Sequence, residues 1–148
     1  MNVDVVSEIV IHRPVFVVAD YAMNPDNAPS WYVNIKSVKW ITTPPLEVGS
    51  QMAFVAQFLG RRMEYIYEVA ELIPNQRFVM RTAQGPFPME TTYSFEPSES
   101  DGTRMSLRNR GMPSGFSRLL APFMARAVRN ANQKDLAALK RLLESRPD

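Results

Sequence analysis

The chain has 148 residues, 45% of them hydrophobic, with 17 basic against 15 acidic side chains and a formal net charge of +2. That length fits one domain spanning residues 1–148 with a sizeable core, and so small a charge excess gives no electrostatic footprint for nucleic acid. The absence of cysteine excludes disulfides and thiolate chemistry, and a single histidine, His12, leaves little for imidazole chemistry.

Val3 to Ile11 (VDVVSEIVI) is rich in β-branched residues and reads as a strand ended by Arg13-Pro14. It begins in MNVDVVSEIVIHRP, which has an acid at Asp4 and no leading basic cluster, so no secretory signal is expected. No apolar run reaches the roughly 20 residues that cross a bilayer, and a soluble, cytoplasmic protein is the expectation. Pro14 to Tyr21 reads as a short helix opened by proline. Asn24 to Trp31, punctuated by Pro25 and Pro29, is at most one or two helical turns. Lys36 to Thr42 is a second strand, stopped by Pro44-Pro45. A meander follows: Ser50 to Leu59, Arg62 to Leu72, Gln76 to Ala83, Met89 to Phe95 and Thr103 to Arg110. Turns at Gly60-Arg61, Pro74-Asn75, Gly85 to Pro88 and Pro97 to Gly102 separate its strands. Ser114 to Ser145 reads as one long helix, with Ser114 as a candidate N-cap. Pro122 inside it marks either a kink or the true start. Phe116, Leu119, Leu120, Phe123, Met124, Ala127, Val128 and Ala131 form an apolar stripe at spacings of three and four. The stripe breaks at Lys134-Asp135 and resumes, rotated, through Leu139, Leu142 and Leu143, so the two halves should face different surroundings.

The meander alternates with period two. Met52, Phe54, Ala56 and Phe58, then Met63, Tyr65, Tyr67 and Val69, then Phe78, Met80 and Thr82 share one face. Met89, Thr91, Tyr93 and Phe95 with Met105, Leu107 and Asn109 complete it. The other face carries the charges, including Glu64, Glu68, Arg81, Glu90, Arg104, Arg108 and Arg110. One wet side and one apolar side is the pattern of an antiparallel sheet over a core.

This order of elements resembles the helix-grip fold of the START and birch-pollen-allergen superfamily, SRPBCC, and its polyketide cyclase/dehydrase and lipid-transport branch. The residues that carry the likeness are Ile9 to Ala19 (IVIHRPVFVVA) and Asp20 through Trp31 with Pro29 near the tryptophan. Val48-Gly49, Val69 with Pro74, Phe95 with the Gly102-Thr103 turn and the closing LAALKRLLES also carry it. The likeness covers nearly the whole chain. It departs at Phe16, where two valines follow the aromatic residue. It implies an α+β fold in which a curved antiparallel sheet of about seven strands wraps a long C-terminal helix. It also implies two short helices after the first strand and a deep cavity for an apolar ligand.

The inward residues support such a cavity. Met52, Met63, Met80, Met89 and Met105 give that face a soft, adaptable lining. Several hydroxyls and an amide on the same face call for polar partners, either backbone, water or a ligand. The expected lining is Trp31, Met52, Phe54, Tyr65, Tyr67, Phe78, Met80, Thr91, Tyr93 and Asn109. The helix is expected to add Phe116, Leu120, Phe123, Met124 and Ala127. Hairpin parity puts Arg61, Arg62, Phe87, Arg110 and Arg118 at one end of the sheet. Glu47, Glu96, Glu99 and Asp101 fall at the other. The arginine end is read as the cavity mouth, favouring a ligand with an anionic or strongly polar head, against a plain solvated rim.

His12 stands alone at a strand end, so no Ser-His-Asp arrangement is indicated. No cluster has metal-ligand spacing and no glycine-rich phosphate loop occurs, so no metal and no cofactor is expected. Paired inward carboxylates are absent, and no catalytic residue is assigned. Three readings follow. The first is binding, transport or sequestration of a hydrophobic small molecule such as a lipid, polyketide or quinone-like compound. The second is a cyclase/aromatase/dehydrase-type enzyme using Tyr65, Tyr67, Tyr93 and Asn109. The third is a membrane-surface or partner-binding protein with transient membrane contact through Arg118, Arg126 and Arg129. Monomer and dimer both stay open.

Overall fold

The alternating segments pair into one seven-stranded antiparallel sheet in the computed structural model, which describes residues 3–58, 60–85, 88–111 and 121–146. The strands are β1 (Val3–Ile11), β2 (Ile35–Trp40), β3 (Gln51–Phe58), β4 (Arg61–Ile73), β5 (Arg77–Gln84), β6 (Met89–Ser98) and β7 (Gly102–Gly111). The helices are α1 (Val15–Met23), α2 (Ala28–Trp31) and α3 (Ala121–Glu144). The sheet order is β1-β7-β6-β5-β4-β3-β2, so β1 closes against the last strand and β2 is the opposite edge. This is the α+β helix-grip architecture.

Local chemistry sets the element ends. The Pro14 carbonyl accepts from Val17 N and Val18 N and so starts α1. Asn24 Oδ1 accepts from Asp26 N at 3.0 Å and opens a 3₁₀ turn over Pro25–Asn27. That turn and α2 match the one or two turns expected of a proline-punctuated stretch. Gly60 sits at φ +75°, a left-handed conformation that glycine adopts without strain, in the β3–β4 hairpin. Register shifts between Ile66 and Tyr67 and between Val69 and Glu71 break the β4–β5 ladder. Such irregularities bend a strand and help curve a sheet.

The alternation places the expected residues inward. Met52, Phe54, Tyr65, Val69, Phe78, Met80, Thr91, Tyr93, Phe95, Met105, Leu107 and Asn109 are all buried. The outer face carries ion pairs, among them Arg108–Asp4 at 2.6 Å and Arg104–Glu96 at 3.7 Å. Both are solvent-exposed and contribute little. The main core joins the sheet to α1, α2 and the C-terminal half of α3, where Leu136, Leu139 and Leu143 are essentially inaccessible. Full burial of each such leucine contributes about 1.5–3 kcal/mol. The end of α3 is tied to the end of β1. Arg13 donates to the Leu143 carbonyl at 2.8 Å, Lys140 Nζ to the Val10 carbonyl at 2.7 Å, and His12 N to Glu144 Oε2 at 2.8 Å.

Two expectations need correction. Phe123, placed on the buried stripe, is 70% exposed. It shares its side of the helix with Arg126, Asn130 and Gln133, all exposed, whereas Met124 lies about 100° round and is buried. Asp135, read as the break in the stripe, is itself buried at 2% exposure. So is Asn132, one turn before it, at 3%. Among the described residues the inward set of the sheet carries no charged side chain, with Arg110 bordering the cavity at the sheet end, but the helix brings a carboxyl against that face. Phe87, Ser114, Phe116, Arg118, Leu119 and Leu120 lie outside the described residues.

Candidate functional site

Between the sheet and the N-terminal half of α3 lies a cavity of about 150 Å³, within about 1170 Å³ of atom-free space that runs out to solvent. Its position follows from side-chain size. Met124, Val128 and Ala131 line it from α3, where the next turns of the same helix supply leucines. Across from them stand Phe54, Tyr65, Tyr67, Phe78, Met80, Thr91, Tyr93 and Asn109 of the sheet. Met63, Met89, Arg110, Gly111 and Val3 extend the wall toward the sheet end that holds the Gly60 turn. Ala22, Met23, Pro25 and Ala28 close it from the short helices. Gly85 leaves room for the Tyr65 ring: a Cβ there would stand 2.5 Å from Tyr65 Cδ1.

Not every expected residue reaches the cavity. Trp31 is buried in the solid core against Tyr32 and Tyr93, with ring centroids 4.3 and 5.7 Å away. Met52 is fully buried in the same core rather than on the wall. Ala127 and Phe123 do not line the cavity: Phe123 faces away from it, and Ala127 sits at the margin of the Met124–Val128–Ala131 side of α3. Arg61 and Arg62 are exposed and off the wall, and Arg62 approaches Glu64 at 3.7 Å. Arg110 does line the cavity, but Glu90 accepts from it on the outer face.

The polar groups on the wall are ordered by hydrogen bonds. Tyr32 and Tyr93 join hydroxyl to hydroxyl at 2.6 Å. Thr91 Oγ1 donates to Asn109 Oδ1 at 2.7 Å, and Asn109 Nδ2 donates to Asn132 Oδ1 at 2.9 Å. This chain crosses from sheet to helix. It leaves Asn132 Nδ2 buried without a partner. Asp135 Oδ1 accepts from Val33 N at 2.8 Å. Burial pushes the Asp135 carboxyl up to about 7, with the Val33 amide pulling the other way.

The tyrosines of the wall are held neutral. Burial raises Tyr65 to about 12 and lifts Tyr67, Tyr93 and Tyr32 further above the ordinary phenol range. They are hydrogen-bonding groups rather than bases. Tyr32, Asn132 and Asp135 were not among the expected lining. Tyr32 follows a proline-broken segment without periodicity. Asn132 and Asp135 continue the Val128 side at spacings of four and three, a signal their polarity hid.

Among the described residues no helix is long and apolar enough to cross a membrane. Three solved structures align over nearly the whole chain. A protein designated TTHA0849 from Thermus thermophilus aligns with TM-score 0.82 and 19% identity, over 96% of this chain and 97% of that one. A START superfamily protein from Mycobacterium smegmatis follows with TM-score 0.80 and 16% identity, over 95% and 97%. The Zhui aromatase/cyclase from Streptomyces sp. R1128 has TM-score 0.80 and 13% identity, over 97% and 94%. At these identities the likeness shows the fold alone. No curated protein sequence matches the chain. The family model described as polyketide cyclase / dehydrase and lipid transport matches residues 2–144, and with a grip fold and an apolar cavity already in place, the chain belongs to that family.

Proposed function

We propose that this protein, acting as a single domain, binds a hydrophobic small molecule in the cavity between the sheet and α3, for transport or sequestration. The observation that carries the reading is the wall itself. Met63, Met80, Met89 and Met124 with Phe54 and Phe78 make an adaptable apolar surface, and only a few polar groups converge on it. A dry apolar cavity of about 150 Å³ takes a guest of benzene size. The space running outward here accommodates a second ring or the tail of a longer lipid, polyketide or quinone-like molecule.

The enzyme reading, a cyclase/aromatase/dehydrase, has one observation in its favour: Tyr67, Thr91 and Asn109 form a connected polar strip on the wall. Neutral phenols with strongly raised pKa values can orient a carbonyl but do not abstract protons near neutrality. The strip therefore fits positioning better than acid–base turnover. Native mass spectrometry of the purified protein tests the binding reading. A co-purified or added hydrophobic compound should appear as a mass increment. Ala131→Phe, which fills the cavity from α3, should lose that increment while staying folded. An increment that survives Ala131→Phe would place the guest elsewhere and defeat the reading.

A further inference from the structure

The side of α3 that meets solvent differs in charge from the outer face of the sheet. Arg126, Arg129, Lys134 and Arg141 are exposed along it, and among the described residues none of the four forms an ion pair. On the sheet the cations are matched: Arg81 and Arg110 share Glu90, Arg104 meets Glu96 and Arg108 meets Asp4. Of the two acids in α3, Asp135 is buried, and Glu144 is taken by Lys140 Nζ at 2.7 Å and His12 N at 2.8 Å. An aromatic ring stands among the cations. Phe123 is 70% exposed, and at about 100° per residue it falls within about 60° of Arg126, Lys134 and Arg141 around the helix.

We propose that this side of α3 docks on an anionic phospholipid bilayer, with the four cations against the headgroups and the Phe123 ring inserted at the acyl boundary. An aromatic residue beside basic ones on a helix is the composition that lies in a bilayer interface. A basic side chain near an anionic leaflet strengthens partitioning about fivefold, within a Debye length of the surface. An acidic protein would answer the cations alone. A bilayer also answers the ring, at a depth that no fixed pocket has to match.

The surface goes beyond the binding reading, because docking needs no guest. It is also well placed for one. Met124, the neighbour of Phe123, lines the cavity, and Met89 and Val3 carry the wall to the same end of the sheet. With Phe123 inserted, the hollow half of α3 is the half held deepest.

Co-sedimentation with phospholipid vesicles tests the surface. At low salt the protein is expected on vesicles of phosphatidylcholine mixed equally with phosphatidylglycerol and not on phosphatidylcholine alone, and high salt should release it. Arg126→Gln with Arg129→Gln should weaken partitioning about thirtyfold, the scale of two basic residues. Phe123→Ser should weaken it about tenfold with the charge unchanged. Arg104→Gln with Arg108→Gln removes the same charge from the outer face of the sheet and should leave binding within about twofold. All these side chains are exposed, and circular dichroism should find every variant folded. No binding to the mixed vesicles, equal binding to phosphatidylcholine alone, equal losses in the helix and sheet variants, or no loss in Phe123→Ser would overturn the proposal. A natural dimer that Phe123→Ser splits, with no vesicle binding, would instead make the surface an interface between copies. Because the vesicles hold no guest, none of these failures would touch the cavity reading.

Discussion

The two halves of α3 run along the same sheet and do opposite things. The C-terminal half inserts Leu136, Leu139 and Leu143 into the main core and fills it. The N-terminal half offers Met124, Val128 and Ala131 and leaves a cavity. Met124 belongs to a separate small cluster with Val3 and Val5 near the sheet end, so the core is itself divided at the helix midpoint. Asn132 and Asp135 mark that midpoint. The lesson is that one helix can anchor a grip fold and hollow it, by changing side-chain size and polarity over a single turn.

Substitutions can break this contrast. The largest effect is expected from Leu139→Ala, which would open a void in the filled half and cost about 2–5 kcal/mol in urea unfolding. Ala131→Leu, in the hollow half, should shift stability by less than about 1 kcal/mol because space is already there. Equal penalties at the two sites would show that the halves are packed alike. Next comes Asp135→Asn. The folded carboxyl binds its proton more tightly than the unfolded one, so the natural protein loses stability as pH rises from about 4 to about 7. Asp135→Asn should therefore be more stable than the natural protein by about 2–4 kcal/mol at pH 8, with no gain below pH 4. Thermal unfolding across that range would show it, and a gain that does not vary with pH would contradict the burial of an ionisable group. The smallest effect is expected from Arg62→Gln. Its contact with Glu64 is exposed on both sides, so stability should change by less than about 0.5 kcal/mol.

Much of this was legible in the sequence. Period-two alternation in the meander identified inward residues because one face of an antiparallel sheet meets water and the other does not. The rotation of the helix stripe after Ala131 foretold that its halves face different surroundings. What escaped did so for physical reasons. Asp135 looked like a solvated break because buried carboxylates are rare and spacing cannot reveal desolvation. Phe123 looked like core because it is apolar, yet it falls one position off the buried side. Hairpin parity puts Arg61 and Arg62 at the end of the sheet that holds the Gly60 turn. Parity gives an end, not a direction, and neither reaches the cavity wall. Trp31 and Met52 were recognised as interior, but periodicity cannot separate a residue in solid packing from one beside a void.

The methionine methyl groups report most directly on where a guest sits. Met63, Met80, Met89 and Met124 line the cavity from the sheet and α3, with Met23 closing it from α1, whereas Met52 and Met105 lie in the filled core. In a ¹³C-methyl NMR titration with 2-acetylnaphthalene, the first four resonances should shift together and saturably while Met52 and Met105 stay nearly fixed. Shifts spread evenly over those four and the two core methionines, or confined to none of the four, would contradict an internal site between the sheet and the hollow half of α3.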